Sequence, residues 1–296
     1  MTAERVDQRQ GIVELVLESL DGWENPNTAL EFGNVRWLPD LVHSNGLLLH
    51  LALEEIDGPW RRRLKAAMAD GYKLVIACGP EALSLPNLEL IQEIDGRLLL
   101  LDPADEDVEI FEYDSVADLV AMHELSLGSE GLNRLADPLF DRALECTDTY
   151  RKGLLFEQVL CLLFSQVSYL HVLKHRYINE TEEIDIVLGN RATGALAGVL
   201  GSPIVLVSGK NQTKPVGAPD VRALRGNMGN RRGRCSFGVL ASARALASTA
   251  GKEQTHATDD PTKAVALLSG PTIRRLIASS RLDEEMQAEL MKAVME

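Results

Sequence analysis

Four consecutive apolar residues, Ile204, Val205, Leu206 and Val207, constrain this chain more than any other feature. A run of this kind suits a central strand, covered on both faces by other layers. The strand then delivers Ser208, Gly209 and Lys210 and turns polar through NQTKPVG. A lysine presented at the end of a buried strand is one way to build a site at a sheet's edge. A solvated strand end would read the same on this stretch alone.

The neighbouring segments supply the rest of such a sheet. KGLLFEQVLCLLFSQV (152–167) is a helix that is apolar almost all round, hence buried. YLHVLKHRYI (169–178) reads as a strand, EEIDIVLGN (182–190) alternates as another, and GALAGVLGS reads as a Gly-rich, hairpin-like connection. APDVRALRGNMGNRRGR (218–234) starts a helix, with Pro219 early and Asp220 in the first turn. CSFGVLAS (235–242) is a further strand, ARALASTAGKE a further helix, and the tail from Pro261 to Glu296 reads as mostly helical.

The first hundred or so residues form a separate α/β unit. LLLHLALEEI (47–56) starts as a strand, WRRRLKAAMADG (60–71) is a helix stopped at Gly71, and YKLVIAC (72–78) and GRLLLLD (96–102) are strands. Strands alternating with helices predict a mostly parallel sheet. The acidic stretch 102–118 marks a boundary, and 115–150 reads as helix interrupted near Gly128 and Gly131. The expected organisation is therefore α/β throughout: a smaller N-terminal α/β domain over 1–110, a helical connector over 111–150, and a second domain over 151–296 with a helical tail.

Charge bears on partners. The chain carries a net charge of −14, yet from Lys210 to Lys252 nine Lys or Arg face one acid, Asp220. A basic face on an acidic body is compatible with nucleic-acid contact; a solvated helix face would look the same by charge alone. The four cysteines, Cys78, Cys146, Cys161 and Cys235, form no CxxC pair, which argues against a zinc cluster and for free thiols in a reducing cytosol. The N-terminal MTAERVDQRQ has no apolar run, so neither a signal peptide nor a membrane partner is expected, and the expected location is cytoplasmic.

Three residues carry the candidate chemistry. Glu157 sits in an otherwise apolar helix, Asp185 inside the strand EEIDIVL, and Lys210 at the end of IVLVSGK. A buried carboxylate needs a partner, and a divalent cation is one. A nearby lysine orients water or stabilises charge developing on a phosphate. Strand alternation would place Glu183 with Asp185, and Ser208 and Lys210 with Gln212 if the strand runs that far. His171 and His175 would lie about 13 Å apart on a strand, too far for one metal. GKNQTKPVG lacks the order of a phosphate-binding P-loop. In the first unit, WLPDLVHSNGLLLHLALEE faintly resembles a second such half-site around Asp40, but it has no following x-Lys partner and is read as structural.

KGLLFEQVLCLLF, EEIDIVL, VLVSGKNQTKPVGAPDVRALRGNM and FGVLASARALASTA, taken in order, resemble the PD-(D/E)xK superfamily, most of all the Mrr-type restriction-endonuclease-like domain. The resemblance spans roughly 150–255, and LLSGPTIRRLI resembles the segment that closes such domains. It implies a mixed sheet flanked by helices and metal-dependent hydrolysis of DNA, in defence against foreign DNA. Asp185 and Glu157 would hold Mg²⁺ or Mn²⁺, with Glu183 as a further ligand. Lys210 would be catalytic and Gln212 a supporting polar group. Lys214, Arg222, Arg225, Arg231, Arg232 and Arg234 would contact phosphates. A homodimer, or a subunit of a larger defence complex, is expected.

The chain departs from the family's pattern at Ser208, where an acid is expected two residues before the lysine. A neutral hydroxyl is a poor Mg²⁺ ligand. The alternative expectation is thus a non-cutting module that binds nucleic acid or protein.

Overall fold

A computed structural model describes residues 9–295 except 11, 15, 19, 27, 33–34, 53–55, 79–82, 94–96, 101–108, 112–115, 123, 179–182 and 256–261. The chain divides into two compact units, Met1–Asp114 and Ser115–Glu296.

The first unit contains β1 (Trp23–Glu24), β2 (Leu30–Phe32), β3 (Val35–Trp37), β4 (Leu41–His43), β5 (Leu47–Leu51), α1 (Gly58–Ala69), β6 (Lys73–Cys78), α2 (Leu85–Glu93), β7 (Arg97–Leu100) and β8 (Glu109–Phe111). Its main sheet has the order β1-β4-β5-β6-β7-β8. Strands β5, β6 and β7 are parallel, as the βαβ pattern predicts, and the outer strands are antiparallel. Those outer strands are two or three residues long in the case of β1, β4 and β8, too short to show a period in the sequence.

β5 is buried at every position, His50 included. The Trp60 ring lies 4.3 Å from that of His50, and His50 Nδ1 lies 3.4 Å from Asp40 Oδ2. Asp40 also accepts from Leu51 N at 2.9 Å and pairs with Arg9. Burial works against the Asp40 charge, but the His50 contact and the Arg9 guanidinium outweigh it and hold the carboxyl below its ordinary value. Asp40 is thus a satisfied core acid.

The second unit begins with α3 (Val116–Met122), α4 (Gly128–Glu145) and α5 (Thr149–Ser165). The segment read above as a connector packs within this unit. Phe140 of α4 stacks on Phe156 of α5 at 5.8 Å, and Arg274 bridges to Asp137 at 2.6 Å. There follow β9 (Leu170–Ile178), β10 (Glu183–Asn190), α6 (Gly194–Leu200), β11 (Ile204–Lys210), α7 (Ala218–Gly229), β12 (Phe237–Ser242), α8 (Ser248–Thr255), β13 (Ala264–Leu268), α9 (Gly270–Ile277) and α10 (Leu282–Met295).

The sheet order is β13-β12-β11-β10-β9. Strands β9, β10 and β11 are antiparallel, and β11, β12 and β13 are parallel. β11 is the middle strand, and Val205, Leu206 and Val207 are at most 1% exposed. The opening apolar run therefore does what a doubly covered strand requires.

Two local readings are corrected. GALAGVLGS is not hairpin-like; Ala and Leu make it α6, which ends at Gly201 with φ +63°, a left-handed cap glycine adopts freely. The tail is not helical from its start, since Ala264–Leu268 pairs with β12 as the edge strand β13. Start and stop signals served well at α7, where Asp220 accepts from Gly217 N at 2.9 Å.

Candidate active site

The β10–β11 ladder runs from Gly189↔Ile204 to Ile186↔Val207 and stops there. The next pair would be Asp185 opposite Ser208. There the strands are bridged by a side chain: Asp185 Oδ2 accepts from Gly209 N at 2.5 Å, and the Ser208 hydroxyl favours the charge of the same carboxylate. Asp185 is only 8% exposed. Burial pushes its pKa up, which the Gly209 N–H, the Lys210 charge and the Ser208 hydroxyl partly offset. Lys210, at the end of β11, is thus close enough to act on Asp185 electrostatically.

Glu157 reaches the same place from α5. What lets the helix lie so close is Gly209: a Cβ there would stand 2.8 Å from Leu160 Cδ1 and 3.3 Å from the Phe156 ring. Asn211, just beyond Lys210, fixes the strand end from the other direction. Its Nδ2 donates to Ala143 O at 2.6 Å and to Lys152 O at 2.9 Å, tying the strand end to α4 and the start of α5. The Glu157 side chain is 13% exposed, and its pKa is raised to about 6 by burial and by the neighbouring Asp185 charge. Glu157 Oε2 makes no hydrogen bond.

On the other side of β10, the β9 ladder pairs Ile184 with Tyr177 and Ile186 with His175, which sets Arg176 across from Asp185. Arg176 has φ +53°. The pleat is broken here: Ile184 belongs to the core cluster of Val221, Leu224 and Met228, and Val187, three residues on, packs against that same cluster. Plain alternation forbids this. Arg176 Nε lies 3.3 Å from Glu157 Oε2, and Nη2 lies 3.4 Å from Glu183 Oε1. Its Nη1 donates to Tyr150 Oη at 3.3 Å. Glu183 itself has a side chain 57% exposed, and its charge acts on Asp185.

The structure thus brings together Asp185, Ser208, Lys210, Glu157 and Glu183. Gln212 lies beyond the end of β11, which stops at Lys210, so the alternation that would seat it does not reach it. His171 and His175 go separate ways: His171 packs on Gly189, and His175 Nδ1 lies 2.8 Å from Asp118 Oδ1. Sequence reading missed Arg176, Tyr150 and Asn211. An arginine inside the strand YLHVLKHRYI was the available signal.

The basic segment is less free than its composition implied. Arg225 is 7% exposed and spends its guanidinium on Glu253 and on the Glu253 and Gln254 carbonyls, so it is a structural residue and not a phosphate contact. Arg222 also pairs with Glu253, at 2.7 Å. The acid that neutralises both lies one residue beyond the basic stretch. Arg231 lies over the Tyr177 ring at 5.0 Å, while Lys214, Arg232 and Arg234 are exposed.

Among the described residues, no group of three or more His, Cys, Asp or Glu side chains is gathered closely enough to hold a metal ion. The residues present nevertheless fit a cation bound through two carboxylates and a substrate phosphate. Glu157 Oε2 is buried without a hydrogen bond, and its charge and that of Asp185 oppose each other. A shared cation relieves both costs.

The mixed sheet sets an Asp and a Lys on adjacent strands, at the point where the ladder parts. Residues 152–277 match the Mrr catalytic-domain family, described as "Restriction endonuclease", consistent with a PD-(D/E)xK-like domain. Two solved structures are similar to the chain at low identity. One is the MspJI restriction endonuclease in complex with a 27-mer oligonucleotide, at 16% identity and TM-score 0.33, over 64% of this chain and 40% of that one. The other is protein VC1899 from Vibrio cholerae, at 12% identity and TM-score 0.30, over 80% and 81%. The chain thus spans two fifths of the length of MspJI. No curated protein matches it. Among the described residues no helix is long and apolar enough to cross a membrane.

Proposed function

We propose that the second unit is a Mg²⁺- or Mn²⁺-dependent endonuclease acting on DNA. The observation that carries this is the convergence of Asp185, Glu157 and Lys210 where β10 and β11 part, in a domain of the restriction endonuclease family. A divalent cation held by Asp185 and Glu157 would supply Lewis-acid stabilisation of the phosphate and a more acidic water. The chain's own residues do the rest. The Gly209 N–H fixes the Asp185 carboxylate in orientation, and the Ser208 hydroxyl favours its charge. Lys210 stabilises negative charge developing on the phosphate or orients the attacking water. Lys214, Arg232 and Arg234 contact the backbone of the nucleic acid, which makes affinity fall with salt. A role in defence against foreign DNA, a cytoplasmic location, and a homodimer that cuts both strands complete the reading.

A second reading has its own observation. A neutral Ser208 stands beside Asp185 where the family places an acid, and an arginine already sits between Glu157 and Glu183. A non-cutting domain that binds nucleic acid or a protein partner would look like this. Ser208→Glu separates the two. If the natural site is active through Glu157, the added carboxylate crowds Asp185 and changes cleavage less than about tenfold. Cleavage that appears only in Ser208→Glu identifies the natural domain as a binding module.

A further inference from the structure

Resting on the nuclease reading, we propose that Arg176 is a working part of the site, a built-in cation that competes with the divalent metal for Glu157 and is freed toward the phosphate when metal binds.

Arg176 occupies a backbone conformation that disfavours an arginine. At φ +53° its Cβ crowds the backbone, and a non-glycine residue stays there only when its surroundings hold it. The kink sits opposite Asp185, inside the Ile184–Val187 stretch over which strict alternation fails; the register with β9 shifts further on, between Val187 and Leu188. It therefore turns over the one residue pair in the sheet that contains the candidate metal ligand. Backbone strain at that position points to use at the site.

The side chain is held but poorly satisfied. Its three polar contacts are all long, 3.3 Å to Glu157, 3.4 Å to Glu183 and 3.3 Å to Tyr150. Nε and Glu157 Oε2 face each other within ion-pair distance, yet neither makes a hydrogen bond. Arg225 differs in what it touches: its contacts, at 3.2–3.5 Å, fall on two backbone carbonyls and one carboxylate of α8. A guanidinium on two carboxylates of a site missing its motif acid, with a Tyr150 ring 5.7 Å away to receive it, is a cation that can be displaced. The planar fork then suits a phosphodiester oxygen pair.

Arg176→Gly separates charge from fold, because glycine adopts φ +53° without strain and keeps the kink. Mn²⁺ binding is measured on the full chain without DNA, by titration calorimetry and by the loss of the free-ion paramagnetic signal. Arg176→Gly should bind Mn²⁺ about tenfold more tightly than wild type, as removal of a competing partly buried charge predicts, and Arg176→Lys should fall between them. Asp185→Ala in the Arg176→Gly chain should abolish the gain. Equal or weaker Mn²⁺ binding by Arg176→Gly overturns the proposal and leaves the nuclease reading standing. Tighter binding that survives Asp185→Ala also overturns it, because the ion is then elsewhere. If neither chain binds Mn²⁺, the proposal and the metal-dependent reading fall together.

Discussion

Gly209→Ala tests how the site is assembled. The added methyl would stand 2.8 Å from Leu160 Cδ1, with Phe156 ring carbons at 3.3 and 3.4 Å. Both side chains are at most 1% exposed, so neither has room to swing aside. Overpacking of this kind costs about 1–3 kcal/mol. With a urea m-value of about 2 kcal/mol/M, the unfolding midpoint of the second unit falls by about 1 M. The substitution keeps the N–H that donates to Asp185, so any loss of activity reports the displacement of α5 and Glu157. Leu160→Ala alone opens a cavity and costs about 2–5 kcal/mol. In the double variant the methyl and the vacated space compensate, and the combined cost falls short of the sum by at least about 1 kcal/mol. An unshifted midpoint for Gly209→Ala, or strict additivity in the double variant, would refute the close-approach argument.

Glu157 predicts a pH dependence in the absence of metal. Its folded-state pKa, about 6, lies above the ordinary carboxyl value, so the folded form takes the proton first. Stability in EDTA should therefore rise as pH falls from 7 through 6 toward 4.5, by about 1–2 kcal/mol from this group, and Glu157→Gln should remove that rise. Urea midpoints at pH 7 and 5 check it; an identical slope in Glu157→Gln contradicts it. Among the arginines, Arg225→Ala should lower stability by leaving Glu253 and two part-buried carbonyls short of a donor. Arg232→Ala and Arg234→Ala should instead leave the melting temperature unchanged and each reduce the slope of log affinity for duplex DNA against log salt by about 0.9. Unchanged slopes would remove these two residues from the interface.

Much of the second unit was legible because its chemistry is local. The Ile204–Val207 run announces a doubly buried strand, Pro219 and Asp220 announce a helix start, and the order Glu157, Asp185, Lys210 follows the elements that carry them. What was hidden depends on departures from periodicity. Alternation carried past Lys210 would have seated Gln212, but the strand ends first. The left-handed turn at Arg176 was hidden because nothing in YLHVLKHRYI marks it; β-branched and long side chains carry no such signal, unlike glycine. Composition marked Arg222 and Arg225 as a basic face, and only the fold brings Glu253 of α8 against both. β13 escaped because AVALL is too short and too uniformly apolar to tell a strand from a helix.

Purified protein incubated with supercoiled plasmid and with single-stranded DNA, in Mg²⁺ or Mn²⁺, beside Asp185→Ala and Lys210→Ala, is the most direct test of the central claim. The account predicts metal-dependent nicking or cleavage that both substitutions reduce at least about a hundredfold, as loss of a metal ligand or of transition-state charge stabilisation does. DNA retained without cleavage in either metal, or cleavage indifferent to Asp185→Ala and Lys210→Ala, would contradict it.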